Sequence, residues 1–201
     1  MALNLDIKQI NQWNKEGRIY HGFGAVLDTP ETQPAVALVR QTPSFFIRVP
    51  ANVVIIPLFS QVAFEATTAI LQVLVSTCNN DIGVATSVAL TPICQNTRYA
   101  AIRSKVTAYA TNTGATGTAP TGVADLYREY HQADRDAIST TSPTPPISYN
   151  PLAGRGSWAI IGSENNVHCY LFYAVAGVAG ASTCFHLHSW AEFTYTEFYA
   201  A

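Results

Sequence analysis

Thr42 to Cys78 reads TPSFFIRVPANVVIIPLFSQVAFEATTAILQVLVSTC. Apolar and polar residues alternate there at period two, which puts successive side chains on opposite faces of a β-strand. Phe45, Ile47 and Val49 share one face, with Ser44 and Arg48 on the other. Pro50-Ala51-Asn52 reads as a tight connection, because proline and asparagine favour turn conformations. In the next run Val54, Ile56, Leu58, Val62 and Phe64 line one face, against Pro57, Gln61 and Glu65. Leu71, Val73 and Val75 begin a third strand.

The alternation extends outward from this stretch. Ala100, Ile102, Val106 and Ala108 stand against Arg103, Lys105 and Thr107, which predicts another strand. Val167, Cys169, Leu171, Tyr173 and Val175 alternate, while Tyr170 and Phe172 make the second face apolar as well. A last strand is expected from Phe185 to Tyr199. Asn79 to Gly83 is a turn cluster, and Thr111 to Gly122 (TNTGATGTAPTG) is a loop of small residues. Ser142 to Pro151 (SPTPPISYNP) holds four prolines, each lacking a ladder donor, so it cannot be a central strand. Between these loops Val123, Leu126, Tyr130, Ala133 and Ala137 fall at helical spacing, which predicts a helix over 123–137. Leu3, Ile7 and Ile10 predict a short amphipathic helix or arm over 3–14. The expected organisation is an arm or short helix at 1–20 and one domain at 21–201, with a loop-and-helix insertion at 111–151. The expected fold is all-β, an antiparallel sandwich of jelly-roll type with about eight strands.

Composition bounds the function. The chain has 201 residues, 48% hydrophobic but only 12% charged, against about 25% charged in a typical soluble domain. Interface cores are depleted in Lys, Glu and Asp, so the low charge predicts a surface largely covered by neighbours. The net charge is −2. Lys8, Lys15 and Arg18 are offset by Asp6 and Glu16, so the N-terminal segment would neutralise few phosphates, and no strong direct nucleic-acid binding is expected. No apolar secretory core is visible near the start, and the run Val53 to Leu58 is too short to span a bilayer. Cys78, Cys94, Cys169 and Cys184 include no C-x-x-C pair, which excludes a zinc ribbon or thioredoxin motif. Reduced thiols are expected, since Cys169 and Cys184 sit in apolar runs.

The sharpest chemical candidate lies near the C-terminus. His186, His188 and Glu192 are spaced by two and four residues, so a strand aims all three at one face, where two imidazoles and a carboxylate could hold a transition metal. With Gly180 this run resembles the first metal-binding motif of the cupin family, itself a jelly roll. That resemblance would make His186, His188 and Glu192 ligands of a metal-dependent enzyme, although Tyr199 stands where the family has its closing glycine. Trp190, among the aromatics of the last strand, is the candidate platform for stacking a sugar ring in a lectin-like, carbohydrate-binding alternative. Nucleophilic catalysis finds no support: there is no G-x-S-x-G elbow, and His168 and Cys169 face opposite ways on a strand. His21-Gly22-Phe23-Gly24 is too short for a phosphate loop. No catalytic residue and no cofactor are expected, and the leading expectation is not an enzyme.

Residues 42–78 resemble the early strands of viral jelly-roll capsid proteins: an apolar strand closing on Val49-Pro50, a short turn, then a long strand through Ile56-Pro57-Leu58. The terminal strand, Trp190 to Phe198, also suits such a subunit. The resemblance implies a structural virion protein that assembles with copies of itself, and with other capsid proteins, into an icosahedral shell. Residues 1–20 would then be an arm reaching a neighbour or the shell interior. The absence of a basic arm points to a DNA virus, a vertex or minor position, or genome packing by another protein.

Overall fold

The computed structural model describes residues 2–3, 6–24, 31–32, 38–66, 70–84, 87–99, 101–111, 117–132, 146–149, 157–162, 167–176 and 183–200. Its strands are β1 (Ala2–Leu3), β2 (Ile19–Gly24), β3 (Glu31–Thr32), β4 (Phe45–Val49), β5 (Val53–Ala66), β6 (Ile70–Cys78), β7 (Ser87–Leu90), β8 (Ile93–Cys94), β9 (Thr107–Thr111), β10 (Ala124–Gln132), β11 (Ile147–Tyr149), β12 (Ser157–Trp158), β13 (Ile160–Ile161), β14 (His168–Ala176) and β15 (Thr183–Thr194). The helices are α1 (Ile7–Lys15) and α2 (Tyr195–Ala200). One sheet runs β10-β6-β14-β4-β9-β7 and the other β11-β5-β15-β2-β8, with β13 also on β5 and β3 on β15. Together they form an all-β antiparallel sandwich.

Nine of these strands pair in a nested order. β2 pairs with β15, β4 with β14, β5 with both β11 and β13, and β6 with β10, all antiparallel. The outermost strands in sequence meet each other, as do the innermost, so the chain behaves as one long two-stranded ribbon. The ribbon then folds onto itself through the β5–β15 and β6–β14 ladders. β7, β8 and β9 are additions at the sheet edges.

Three apolar clusters follow from this layout. Tyr20, Ile55 and Val62 of one sheet meet Phe45, Val75 and Phe172 of the other in the inter-sheet core. Phe46, Leu74, Leu171 and Tyr173 cover the outer face of the β14 sheet, beneath Ile82 and Val84. This second cluster is why β14 is apolar on both faces. The third lies on the outer face of the β15 sheet, where Val54, Ile56, Ala191 and Phe193 receive Trp13 of α1. The Trp13 and Phe193 rings meet edge to face at 5.1 Å, and Asp6 caps the helix by accepting from the Gln9 backbone N–H at 2.7 Å.

Several sequence expectations are corrected. The predicted helix over 123–137 is instead strand β10 as far as Gln132, and residues 133–137 lie outside the described residues. A register shift between Asp125 and Tyr127 turns both Leu126 and Tyr127 toward the core. Within 111–151 the described residues supply β10 and β11 to the two sheets. β11, which Pro146 and Pro151 flank in sequence, takes an edge position. The single face assigned to 54–64 is split by a bulge at Leu58. Pro57 opposes Trp190 and Phe59 opposes Ser189, leaving Leu58 unpaired. Upstream, Val54 and Ile56 face α1; downstream, Val62 and Phe64 face the inter-sheet core.

The strand expected over 100–108 begins only at Thr107, after a 3-10 turn at Thr97–Tyr99. The last strand stops at Thr194, not Tyr199. Thr194 Oγ1 accepts from the Glu197 backbone N–H at 3.3 Å, and the Glu197 carboxylate accepts from the Thr194 backbone N–H at 2.7 Å. This is a capping box written in the sequence as Thr194-Tyr195-Thr196-Glu197, and it starts α2. The expected helix over 3–14 is α1, shifted to Ile7–Lys15; it docks on the domain's own sheet through Trp13.

Replacing Trp13 by Ala removes the anchor of α1. We expect a loss of about 3 kcal/mol, measured as a lower urea midpoint for Trp13→Ala in equilibrium unfolding.

Candidate functional site

β15 directs Cys184, His186, His188, Trp190 and Glu192 inward, so His186, His188 and Glu192 share one face as their spacing predicts. They do not converge. His186 Nδ1 lies 3.0 Å from His188 Nε2, and His188 Nδ1 lies 2.9 Å from Ser60 Oγ. Ser60 Oγ in turn lies 2.7 Å from the Tyr170 hydroxyl. One direction uses every proton along this chain: Tyr170 O–H donates to Ser60, Ser60 O–H to His188 Nδ1, and His188 Nε2–H to His186 Nδ1. The rings are fixed by packing, since Phe45 stacks on His188 with centroids 3.7 Å apart and Phe172 meets it edge-on at 4.6 Å.

The same packing explains His21-Gly22-Phe23-Gly24. A Cβ on Gly24 would stand 1.8 Å from His186 Cε1, so only glycine leaves room for the imidazole on the neighbouring strand. Ser60 beside His188 has the composition of a nucleophile and its base. His188 is 1% exposed and Ser60 equally so, which leaves the pair walled in by the two sheets.

Glu192 is also buried but serves a different neighbourhood. Its carboxylate accepts from the Trp190 indole N–H at 2.8 Å, from the Lys105 backbone N–H at 2.7 Å, and from the Ser104 hydroxyl. Burial holds its pKa above the usual carboxylate range, and these three donors oppose the shift. The carboxylate thus latches the 104–106 segment onto β15, which is why that segment turns instead of extending. Among the described residues no group of three His, Cys, Asp or Glu side chains is placed to hold a metal. The carbohydrate platform assigned to Trp190 is corrected as well: the ring is 1% exposed and belongs to the inter-sheet core.

The surface offers a different kind of site. Past the edge of α1, the outer face of the β15 sheet remains open, with a groove of about 260 Å³ whose lining includes Ile19, His21, Leu58, Phe59 and Leu187. No Asp, Glu, Lys or Arg lines it. Phe23 and Ile93 extend it on the β2 and β8 edge, 50% and 57% exposed, with Ile93 the register partner of His21. Burial lowers the His21 pKa, and His21 Nδ1 has no hydrogen-bond partner among the described residues. Exposed apolar patches of this kind mark interaction surfaces. The sequence signal for this one was present but unread: His21 and Phe23 alternate with two glycines, so both point to the same outer face.

A second groove, of about 480 Å³, is lined by Arg40, Pro120, Val123 and Asp125. Its charges are spent on each other: Arg40 Nη2 donates to Asp125 Oδ2 at 2.8 Å, and this contact holds the Asp125 carboxyl down at about 2.

No family model, curated protein or solved structure matches the chain.

The buried imidazole has a measurable consequence. Desolvation, then the neighbouring His186, put the His188 pKa well below its ordinary value. The unfolded chain therefore binds a proton at higher pH than the folded one. The stability contributed is complete above about 6.5 and is lost as pH falls toward the folded pKa. His21 and His168, both lowered by burial, act in the same direction, whereas Glu192 acts oppositely. Unfolding free energy measured from pH 7 to pH 5 should fall for the wild type and fall less steeply for His188→Gln; equal slopes would sink the assignment.

Proposed function

We propose that this chain is a jelly-roll capsid subunit, a structural virion protein that assembles with copies of itself into an icosahedral shell. The nested order of the nine paired strands carries the proposal. A two-stranded ribbon rolled into two facing sheets is the arrangement of a jelly roll, with its paired Greek keys. The fold alone does not select a function; the surface supplies the second argument. An uncharged groove flanked by Phe23 and Ile93 suits a neighbouring protein better than a solvated free surface. The overall charge content of 12% fits the same reading. The metal-enzyme and sugar-binding alternatives lose their anchoring residues, since His188 is engaged with Ser60, Glu192 with Ser104 and Lys105, and Trp190 with the core. With net charge −2 and no basic tract, the first partners of the subunit are proteins, its own copies and other capsid proteins, rather than the genome.

Light scattering coupled to size exclusion, with electron microscopy of the eluted material, tests the proposal. Closed particles or symmetric rings are expected, and a protein that stays monomeric at its solubility limit overturns it. Phe23→Asp should abolish the particles while leaving the thermal transition of the isolated subunit unchanged.

A further inference from the structure

Cys169 of β14 is the direct register partner of Cys78 of β6. Both are fully buried on the outer face of that sheet, beside Leu74, Leu171 and Ile82. The two thiols share a hydrogen bond, and Cys78 Sγ also donates to the Asn80 carbonyl at 3.3 Å. Both cysteines are free thiols. Cys94 and Cys184 lie apart from them, in the inter-sheet core. Directly opposed residues of an antiparallel pair have Cα atoms about 4.5 or 5.5 Å apart. A disulfide requires about 4.4–6.8 Å. The ladder therefore already holds the two backbones at bonding separation.

We propose that Cys78 and Cys169 form a peroxide-reactive dithiol site whose product is a disulfide stapling β6 to β14. The sheet supplies the geometry, and hydrogen peroxide, no larger than two waters, is the oxidant able to reach a site this enclosed. Cys78 is the attacking sulfur, because the hydrogen bond from Cys169 lowers its pKa. The same hydrogen bond, together with burial, raises Cys169, which stays protonated until the second step.

In the first step the Cys78 thiolate attacks one peroxide oxygen and the O–O bond breaks. The departing hydroxide takes the proton released by the thiol and leaves as water, and Cys78 becomes a sulfenic acid. In the second step the Cys169 sulfur attacks the Cys78 sulfur and the S–O bond breaks. The hydroxide leaves with the Cys169 proton as a second water. Two thiols and one peroxide thus give one disulfide and two waters: the sulfurs are oxidised by two electrons and the peroxide is reduced by two.

The test treats the folded protein with hydrogen peroxide and reads its intact mass. Labelling with iodoacetamide under denaturing conditions follows, with peptic mapping of the bridge. The expected result is a loss of two hydrogens, two labelled cysteines instead of four, and a peptide bridging residues 78 and 169. The melting temperature should rise by several degrees, because the bond closes a long loop of the unfolded chain, and dithiothreitol should reverse the rise. The Cys94→Ala/Cys184→Ala variant, which keeps only this pair, should lose the same two hydrogens. Four labelled cysteines after peroxide, a bridge to Cys94 or Cys184, or oxidation ending at a Cys78 sulfinic acid would each overturn the proposal.

Discussion

β15 runs antiparallel to β5 from Thr183–Ala66 to Thr194–Val53, and two extra residues of β5 interrupt the ladder, Glu65 near its end and Leu58 at the bulge in its middle. The two sheets, the docked helix and the buried polar groups all depend on this interrupted pairing. Before the bulge, the even-numbered residues of β5 face outward and receive α1. After it, the even-numbered residues face inward, which brings Ser60 beneath His188 and Val62 into the inter-sheet core. A straight ladder would place Ser60 on the outer face and leave the imidazole chain without its hydroxyl. Side-chain parity in a strand admits no intermediate: a shift of one residue exchanges the faces.

The polar groups enclosed by that ladder set the order of the interior. A buried donor or acceptor left without a partner costs about 1–3 kcal/mol, so each one restricts how the sheets can slide. Tyr170, Ser60, His188 and His186 join β14, β5 and β15 through side chains alone. Glu192 joins β15 to the 104–106 segment in the same manner. A slip of one residue would exchange the faces of an apolar core and would break these hydrogen bonds as well. The glycine at position 24 belongs to this arrangement, because the imidazole of His186 occupies the space where a side chain would stand.

The alternation at 45–49 and the double-sided apolar run of β14 were legible in the sequence, since a strand's period survives whatever it packs against. That His186, His188 and Glu192 share one face was legible for the same reason. Their partners were not: Ser60 and Ser104 come from distant segments, and spacing along one strand says nothing about which of them arrives. Bulges defeated the reading at two places. At Leu58 a bulge divided one apparent face into two, and near Leu126 another turned consecutive residues inward and broke the period-two alternation. Thr194 to Glu197 was a readable capping box, concealed by the aromatics around it. The open face at His21, Phe23 and Ile93 depended on a pairing between β2 and β8 that no local pattern announces.

The nested pairing also governs how the chain acquires its structure. β2, near one end, pairs on one side with β8 and on the other with β15, near the opposite end. Nothing nearer in sequence fills the second position, so that edge of β2 stays unsatisfied until β15 arrives. Contacts between such remote segments close slowly, because loop entropy is lost before pairing energy is gained. A ribosome releasing this chain would therefore hold most of the sandwich unclosed until its final strand emerged. The sheet edges and the groove beside α1 would take their mature form only once β15 has paired.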